Sequence, residues 1–185
     1  GVGNASHYYS LTRMPTRGRL RIGDDTLAVT GTSWMDHEFG SGAMSETHSG
    51  WDWYSIQLGD GRELMLYQLR LKNGGVEPLS SGTLVEADGR SRHLPLSAFG
   101  IKPTGTWKSP RTAAMYPSGW QVELPGEGLS LTITPSVADQ ELTATGMGGV
   151  VYWEGSVRVS GRSRGTAVTG KGYVELTGYT GRAPF

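Results

Sequence analysis

The sequence predicts an all-β chain: an antiparallel barrel of about ten strands with little or no helix. Three observations carry this. Glycine is abundant, at 29 of 185 residues, and nine prolines punctuate the rest, a mix that suits many turns. Apolar residues come in short runs that alternate with polar ones, the period of a strand with one buried face. No stretch holds apolar residues at three- and four-residue spacing over the length of a helix. A sheet of about ten strands closes on itself or splits into two layers. A closed barrel is the first expectation and a sandwich the second.

The elements follow in order. His7-Tyr8-Tyr9-Ser10 reads as a strand or a lead-in arm. Gly18 to Ile22 alternates, breaks at Gly23-Asp24-Asp25 and resumes over Thr26 to Thr30, which is a hairpin signal. Gly31 leads into Trp34-Met35-Asp36-His37-Glu38-Phe39-Gly40. Ser41 to Ser49 is small and polar and reads as a loop able to act as a lid. Trp51 to Leu58 and Glu63 to Leu71 form a hairpin around Gly59-Asp60-Gly61-Arg62. Both of its faces carry apolar groups, so it is expected to be central and covered on both sides. Asn73-Gly74-Gly75 is a turn. Thr83 to Glu86 and Ser91 to Leu96 make a third hairpin across Asp88-Gly89. Gly100 to Pro117 is less regular. Gly119 to Leu124, Leu129 to Thr134 and Gln140 to Thr145 read as strands. Val151 to Val159 and Thr166 to Tyr179 make the last hairpin. With its turn near Ser163, Tyr152 is expected roughly opposite Tyr173, so that their polar-aromatic faces run together.

Composition bounds the function. The net charge is zero and no basic block exists, so nothing argues for nucleic acid or an anionic membrane surface. No run of about 18 apolar residues is long enough for a transmembrane helix. Cysteine is absent, which excludes disulfides and thiolate metal sites but leaves the compartment open. No secretory leader is visible. The length suits one domain, expected to run over 1–185.

The chemistry concentrates in the Trp34 to Gly40 motif. On an extended backbone Asp36 and Glu38 share one face and His37 takes the other. Two carboxylates on one face repel, and a proton held by one relieves the strain. Beside apolar rings such a proton belongs to a general acid. A polar loop with aromatic anchors is the plainer reading of the same residues. No other catalytic or cofactor pattern competes. Gly-x-Ser-x-Gly is missing in the context a serine triad needs. His7, His37, His48 and His93 lack metal-ligand spacing, so no metal and no cofactor is expected.

Several motifs together identify a family resemblance. They are Gly31-x-x-Trp34-Met35-Asp36-His37-Glu38-Phe39-Gly40, then Gly50-Trp51-Asp52-Trp53-Tyr54-Ser55-x-Gln57-Leu58, then Glu63 to Arg70. Tyr152-Trp153-Glu154-Gly155 and Gly172 to Tyr179 complete the set. Over most of its length the chain resembles the AttH-like secreted hydrolases, a group related to carotenoid 1,2-hydratase (hydroxyneurosporene synthase) and to fungal pericyclase-type cyclases. That resemblance implies a lipocalin-like barrel. It implies further that this chain is similar to the second half of a two-barrel protein, with a second lipocalin-like barrel supplied by a missing N-terminal half or a dimer mate. A periplasmic or secreted location is implied by the resemblance alone. In the hydratase branch an acid–base mechanism protonates an isolated alkene and adds water to the resulting cation. The histidine of that branch falls on His37. Its aromatic two positions on falls on Phe39, where the hydratases have tryptophan, and Glu38 stands where they carry an amide. A Tyr-x-Asp pair falls near Tyr67, with Leu69 in place of the acid.

Together these readings assign Asp36, His37 and Glu38 to catalysis. They assign Trp34, Phe39, Trp51, Trp53, Tyr67, Gln68, Trp153, Glu154, Tyr173 and Glu175 to binding a small hydrophobic molecule of isoprenoid or polyketide kind. Aromatic faces would stabilise a cation there. The expected setting is a closed sheet around an apolar hollow, with the Trp34 to Gly40 motif at its wall. A lipocalin-like binding module without chemistry is the alternative.

Overall fold

The computed structural model describes residues 6–40, 44–144 and 150–181. Contacts divide the chain into two compact units, Gly1–Met44 and Ser45–Phe185.

The first unit is a long antiparallel hairpin of β1 (His7–Ile22) and β2 (Asp25–Phe39), which form a sheet of their own. The His7-Tyr8-Tyr9-Ser10 arm and the Gly18 to Ile22 segment belong to one strand, with a register shift between Leu11 and Met14. Gly23 takes φ +60° at the first turn position, which glycine adopts without strain. The motif is therefore carried on a two-stranded hairpin that pairs with no strand of the larger sheet, which corrects the expectation that it forms part of that sheet.

The second unit holds β3 (His48–Leu58), β4 (Glu63–Leu71), β5 (Ser81–Val85), β6 (Ser91–Pro95), β7 (Gly100–Pro103), β8 (Thr106–Lys108) and β9 (Met115–Pro117). It continues with β10 (Trp120–Leu124), β11 (Leu129–Pro135), β12 (Glu141–Ala144), β13 (Val150–Ser163) and β14 (Thr166–Thr177). Two single-turn 3₁₀ segments, Leu96–Ala98 and Pro125–Glu127, are its helical content among the described residues. A ten-stranded antiparallel sheet runs β6-β5-β4-β3-β14-β13-β11-β10-β7, with β12 added beside β13. β8 and β9 pair separately. The expected lid begins outside the described residues at 41–43, and its end is already strand, since β3 starts at His48. Thr145, expected to close a strand, also lies outside them.

One face of this sheet is the core. Tyr54, Ile56 and Leu58 of β3 face inward with Leu64 and Leu66 of β4, Trp120 and Val122 of β10, and Trp153 and Val157 of β13. The sheet curls strongly enough for Tyr54 to meet Trp120 edge-on at 5.7 Å between ring centroids, though three strands separate β3 from β10. Glycine permits the curl. A Cβ on Gly161 would collide with the Ser130 carbonyl of the neighbouring strand, and one on Gly172 with that of Ser55. The last hairpin turns at Arg164–Gly165, both at positive φ. That places Tyr152 opposite Thr177 and Glu154 opposite Glu175. The expected pairing of Tyr152 with Tyr173 is thus displaced by four residues, because the turn lies further along the chain than Ser163.

Candidate functional site

On the hairpin, alternation puts Trp34, Asp36 and Glu38 on one face and His37 and Phe39 on the other. Each ionisable group of the motif is held by a hydroxyl from β1 or the residue before it. Asp36 accepts hydrogen bonds from Tyr8 and, at 2.5 Å, from Ser10 Oγ. Glu38 accepts one from Ser6. His37 Nδ1 lies 3.0 Å from the Tyr9 hydroxyl. On the His37 face, His7 stacks on Phe39 at 5.2 Å and Tyr9 meets His37 edge-on at 5.3 Å. Asp36, His37, Glu38 and Phe39 are exposed, and Trp34 is half-buried.

In the second unit, a stripe crosses the outward face of the sheet. Glu154 of β13, Glu175 of β14, Trp53 of β3 and Tyr67 of β4 stand in one row of cross-strand partners. Tyr173 and Trp51 lie on the same face, one in the next row and one beyond the other side. Most of these side chains are half-buried, and Tyr173 is 38% exposed. The Tyr67 hydroxyl donates to Leu79 O at 3.2 Å and accepts from Ser81 Oγ at 3.0 Å. Burial first, and the neighbouring Glu154 carboxylate second, push the Tyr173 phenol up to about 12. Tyr152 is shifted in the same direction for the same two reasons. These phenols keep their protons at neutral pH and act there as hydrogen-bond donors.

Two assigned residues lie on the opposite face. Trp153 is buried in the core, where its Nε1 donates to Ala138 O at 2.9 Å and its ring lies 6.2 Å from Trp120. Gln68 is opposite Asp52 on the inward side. The hydroxyls that orient the motif, those of Tyr8, Tyr9 and Ser10, are not legible in the sequence. Their pairing depends on register across a turn, which spacing alone does not encode.

Two buried carboxylate clusters lie outside the residues assigned from the sequence to catalysis or binding. Asp52 receives Arg70 Nε at 3.0 Å, and the Tyr179 hydroxyl at 3.0 Å from both of its oxygens. The Arg70 guanidinium lies 3.9 Å over the Tyr179 ring. Burial pushes the Asp52 carboxyl up, while Arg70 pulls it down. Glu141 accepts from Ser109, from Thr112 Oγ1 at 2.6 Å and from Tyr116 at 3.0 Å. The signal for the first was in the sequence: Asp52 is an acid at an inward position of a strand whose other inward residues are Tyr54, Ile56 and Leu58. Among the described residues, no three His, Asp or Glu side chains gather as a metal site.

Comparison with known proteins agrees with this architecture. The model of the AttH-like family matches residues 1–179. A solved AttH homologue from Nitrosomonas europaea is 36% identical, with a TM-score of 0.85 over 97% of this chain and 54% of that one. Kievitone hydratase from Nectria haematococca shares 20% identity and the fold, with a TM-score of 0.78 over 97% of this chain and 56% of that one. No curated protein matches in sequence. The chain spans about half the length of both solved structures. Its sheet is the lipocalin-like sheet of these neighbours, all-β and antiparallel.

Proposed function

The chain belongs to the AttH-like family, and from that premise we propose that it is one half of a hydratase- or cyclase-type protein acting by acid–base chemistry on a small hydrophobic molecule. The observation that carries this reading is the hairpin's set of oriented ionisable groups. Asp36, His37 and Glu38 each have a hydroxyl partner across the strands. A fixed donor or acceptor of this kind is what proton transfer to an alkene, or from an attacking water, requires. Such chemistry needs water kept out. The three groups are exposed on the hairpin, and a second lipocalin-like barrel, or a second copy of the chain, supplies the missing cover. The length of the solved neighbours, about twice that of this chain, supports the first source. Isolated two-stranded hairpins are marginally stable in water, and this one exposes Leu20, Ile22 and Leu27, which supports a partner of either kind. The substrate class is isoprenoid or polyketide-like alkenes. Incubation of the chain with such alkenes, followed by mass spectrometry, tests the reading. A product one water heavier, or an isomer formed by ring closure, supports it. Recovery of every alkene unchanged, by the chain alone and by a longer protein carrying it, overturns it.

A second reading has its own observation. Trp51, Trp53, Tyr67 and Tyr173 form an aromatic stripe on the outward face of the sheet, a surface able to bind an apolar ligand without reacting with it. Saturable quenching of tryptophan fluorescence by a ligand recovered unmodified would favour this binding-module role.

A further inference from the structure

Away from these groups, the outward face of β11, β13 and β14 carries a groove of about 650 Å³. Its walls include Thr134, Ser136, Ser156 and Ser160, together with Arg158 and Lys171. Arg158 stands directly opposite Lys171, and Thr134 stands opposite Arg158 on its other side. Like charges placed opposite one another destabilise a strand pair. Five other arginines of this unit hold a carboxylate: Arg62 has Asp60, Arg70 has Asp52, Arg90 has Asp88, Arg92 has Glu127 and Arg111 has Asp139, while Arg162 of the same strand donates to the Gly165 carbonyl at 2.8 Å. Among the described residues no carboxylate pairs with Arg158 or Lys171. On the same face Glu63 stands in the same row two strands beyond Lys171, past Gln57 and roughly 10 Å away, and Glu154 and Glu175 are four residues away along each strand, roughly 13 Å.

Two adjacent cations with no carboxylate paired to them, ringed by hydroxyl donors, match the needs of an oxyanion. The arginine offers a planar fork of N–H donors, the lysine a compact charge, and the serines and threonines neutral donors. We propose that Arg158 and Lys171 bind the phosphate group of a ligand, with Ser156, Ser160 and Thr134 completing its hydrogen bonds. A bound phosphate relieves the repulsion between the two side chains, which makes the pairing of like charges at one rung intelligible. This site is separate from the acid–base groups proposed above and does not depend on them.

The test is titration of inorganic phosphate, then phenyl phosphate, into the isotopically labelled chain at constant ionic strength. Amide resonances of residues 156–160 and 169–171 should shift saturably. Arg158→Gln and Lys171→Gln should each weaken binding about tenfold, the usual worth of one charge-assisted hydrogen bond. Neither variant should melt lower than the parent, since each removes a repulsion. Sedimentation with phosphatidylglycerol vesicles separates the sources. Co-sedimentation that the double variant loses makes the ligand a lipid headgroup; saturable phenyl phosphate binding without co-sedimentation makes it a soluble phosphate. Shifts that grow without saturating, or that persist at equal affinity in the double variant, overturn the site.

Discussion

Glu154 stands directly opposite Glu175 across β13 and β14, and both strands turn these carboxylates to the outside of the sheet. Two acids at one rung cost stability, and they mark the outward face as chosen for something other than packing. Their neighbour Tyr173 registers the charge, since Glu154 is the largest electrostatic contributor to its raised pKa after burial itself. Glu154→Gln should therefore lower the Tyr173 ionisation from about 12 and stabilise the fold by about 0.5 kcal/mol. Tyrosine ring carbon resonances followed against pH, with Tyr173→Phe for assignment, check the first effect. Urea denaturation checks the second. An unmoved Tyr173 would show that burial alone sets its value.

The same phenol gives a pH dependence of stability. Its value in the folded chain, about 12, lies above the ordinary 10.0. A group raised on folding contributes stability that is complete below its unfolded value and is lost as pH climbs through the folded one. The chain should therefore weaken between pH 10 and about 12, and Tyr173→Phe should remove one phenol's share of that loss, the other raised tyrosines, Tyr54, Tyr116, Tyr152 and Tyr179, keeping theirs. Denaturation midpoints measured across the alkaline range decide it.

Asp52 and Arg70 form an ion pair with both side chains mostly buried. Removing one partner leaves the other charged and enclosed, a loss of about 3 kcal/mol or more. Asp52→Ala should cost that much. Tyr179→Phe should cost about 2 kcal/mol, because it removes a hydrogen bond to a buried carboxylate. Chemical denaturation of the two variants measures both, and a negligible loss in Asp52→Ala would refute the pairing as a support of the core.

Glu141 accepts three hydroxyl hydrogen bonds from Ser109, Thr112 and Tyr116. Glu141→Gln keeps the volume but turns one acceptor into a donor facing donors. It should destabilise the chain by about 2 kcal/mol. The same substitution should lower the Tyr116 phenol, which burial and then Glu141 hold above its ordinary range.

Much of the fold was legible because the chain spells it twice, in alternation and in turn residues. Leu129 to Thr134 alternates cleanly and became β11; Gly59-Asp60-Gly61 separates β3 from β4; Asp88-Gly89 sits in the loop between β5 and β6. Alternation also assigned faces correctly, putting Trp153 with Val157 and Val159 and Glu154 with Tyr152. What it could not assign was the neighbour of each strand. That β1 and β2 pair with each other alone is a tertiary choice, and local period says nothing of it. The last hairpin offered several turn positions between Gly161 and Gly165, and settling on Arg164–Gly165 moved every cross-strand partner. The motif's carboxylates were visible in the sequence, but their hydroxyl partners Tyr8 and Ser10 lie 28 and 26 residues away.

In the proposed reaction the hairpin motif handles the proton. The direct measurement is turnover of a converted alkene by Asp36→Asn, His37→Gln and Glu38→Gln, each compared with the parent chain. At least one of them should lose about a hundredfold or more in kcat, with KM little changed, as the removal of a positioned acid or base does. Parent-level turnover in all three would contradict it.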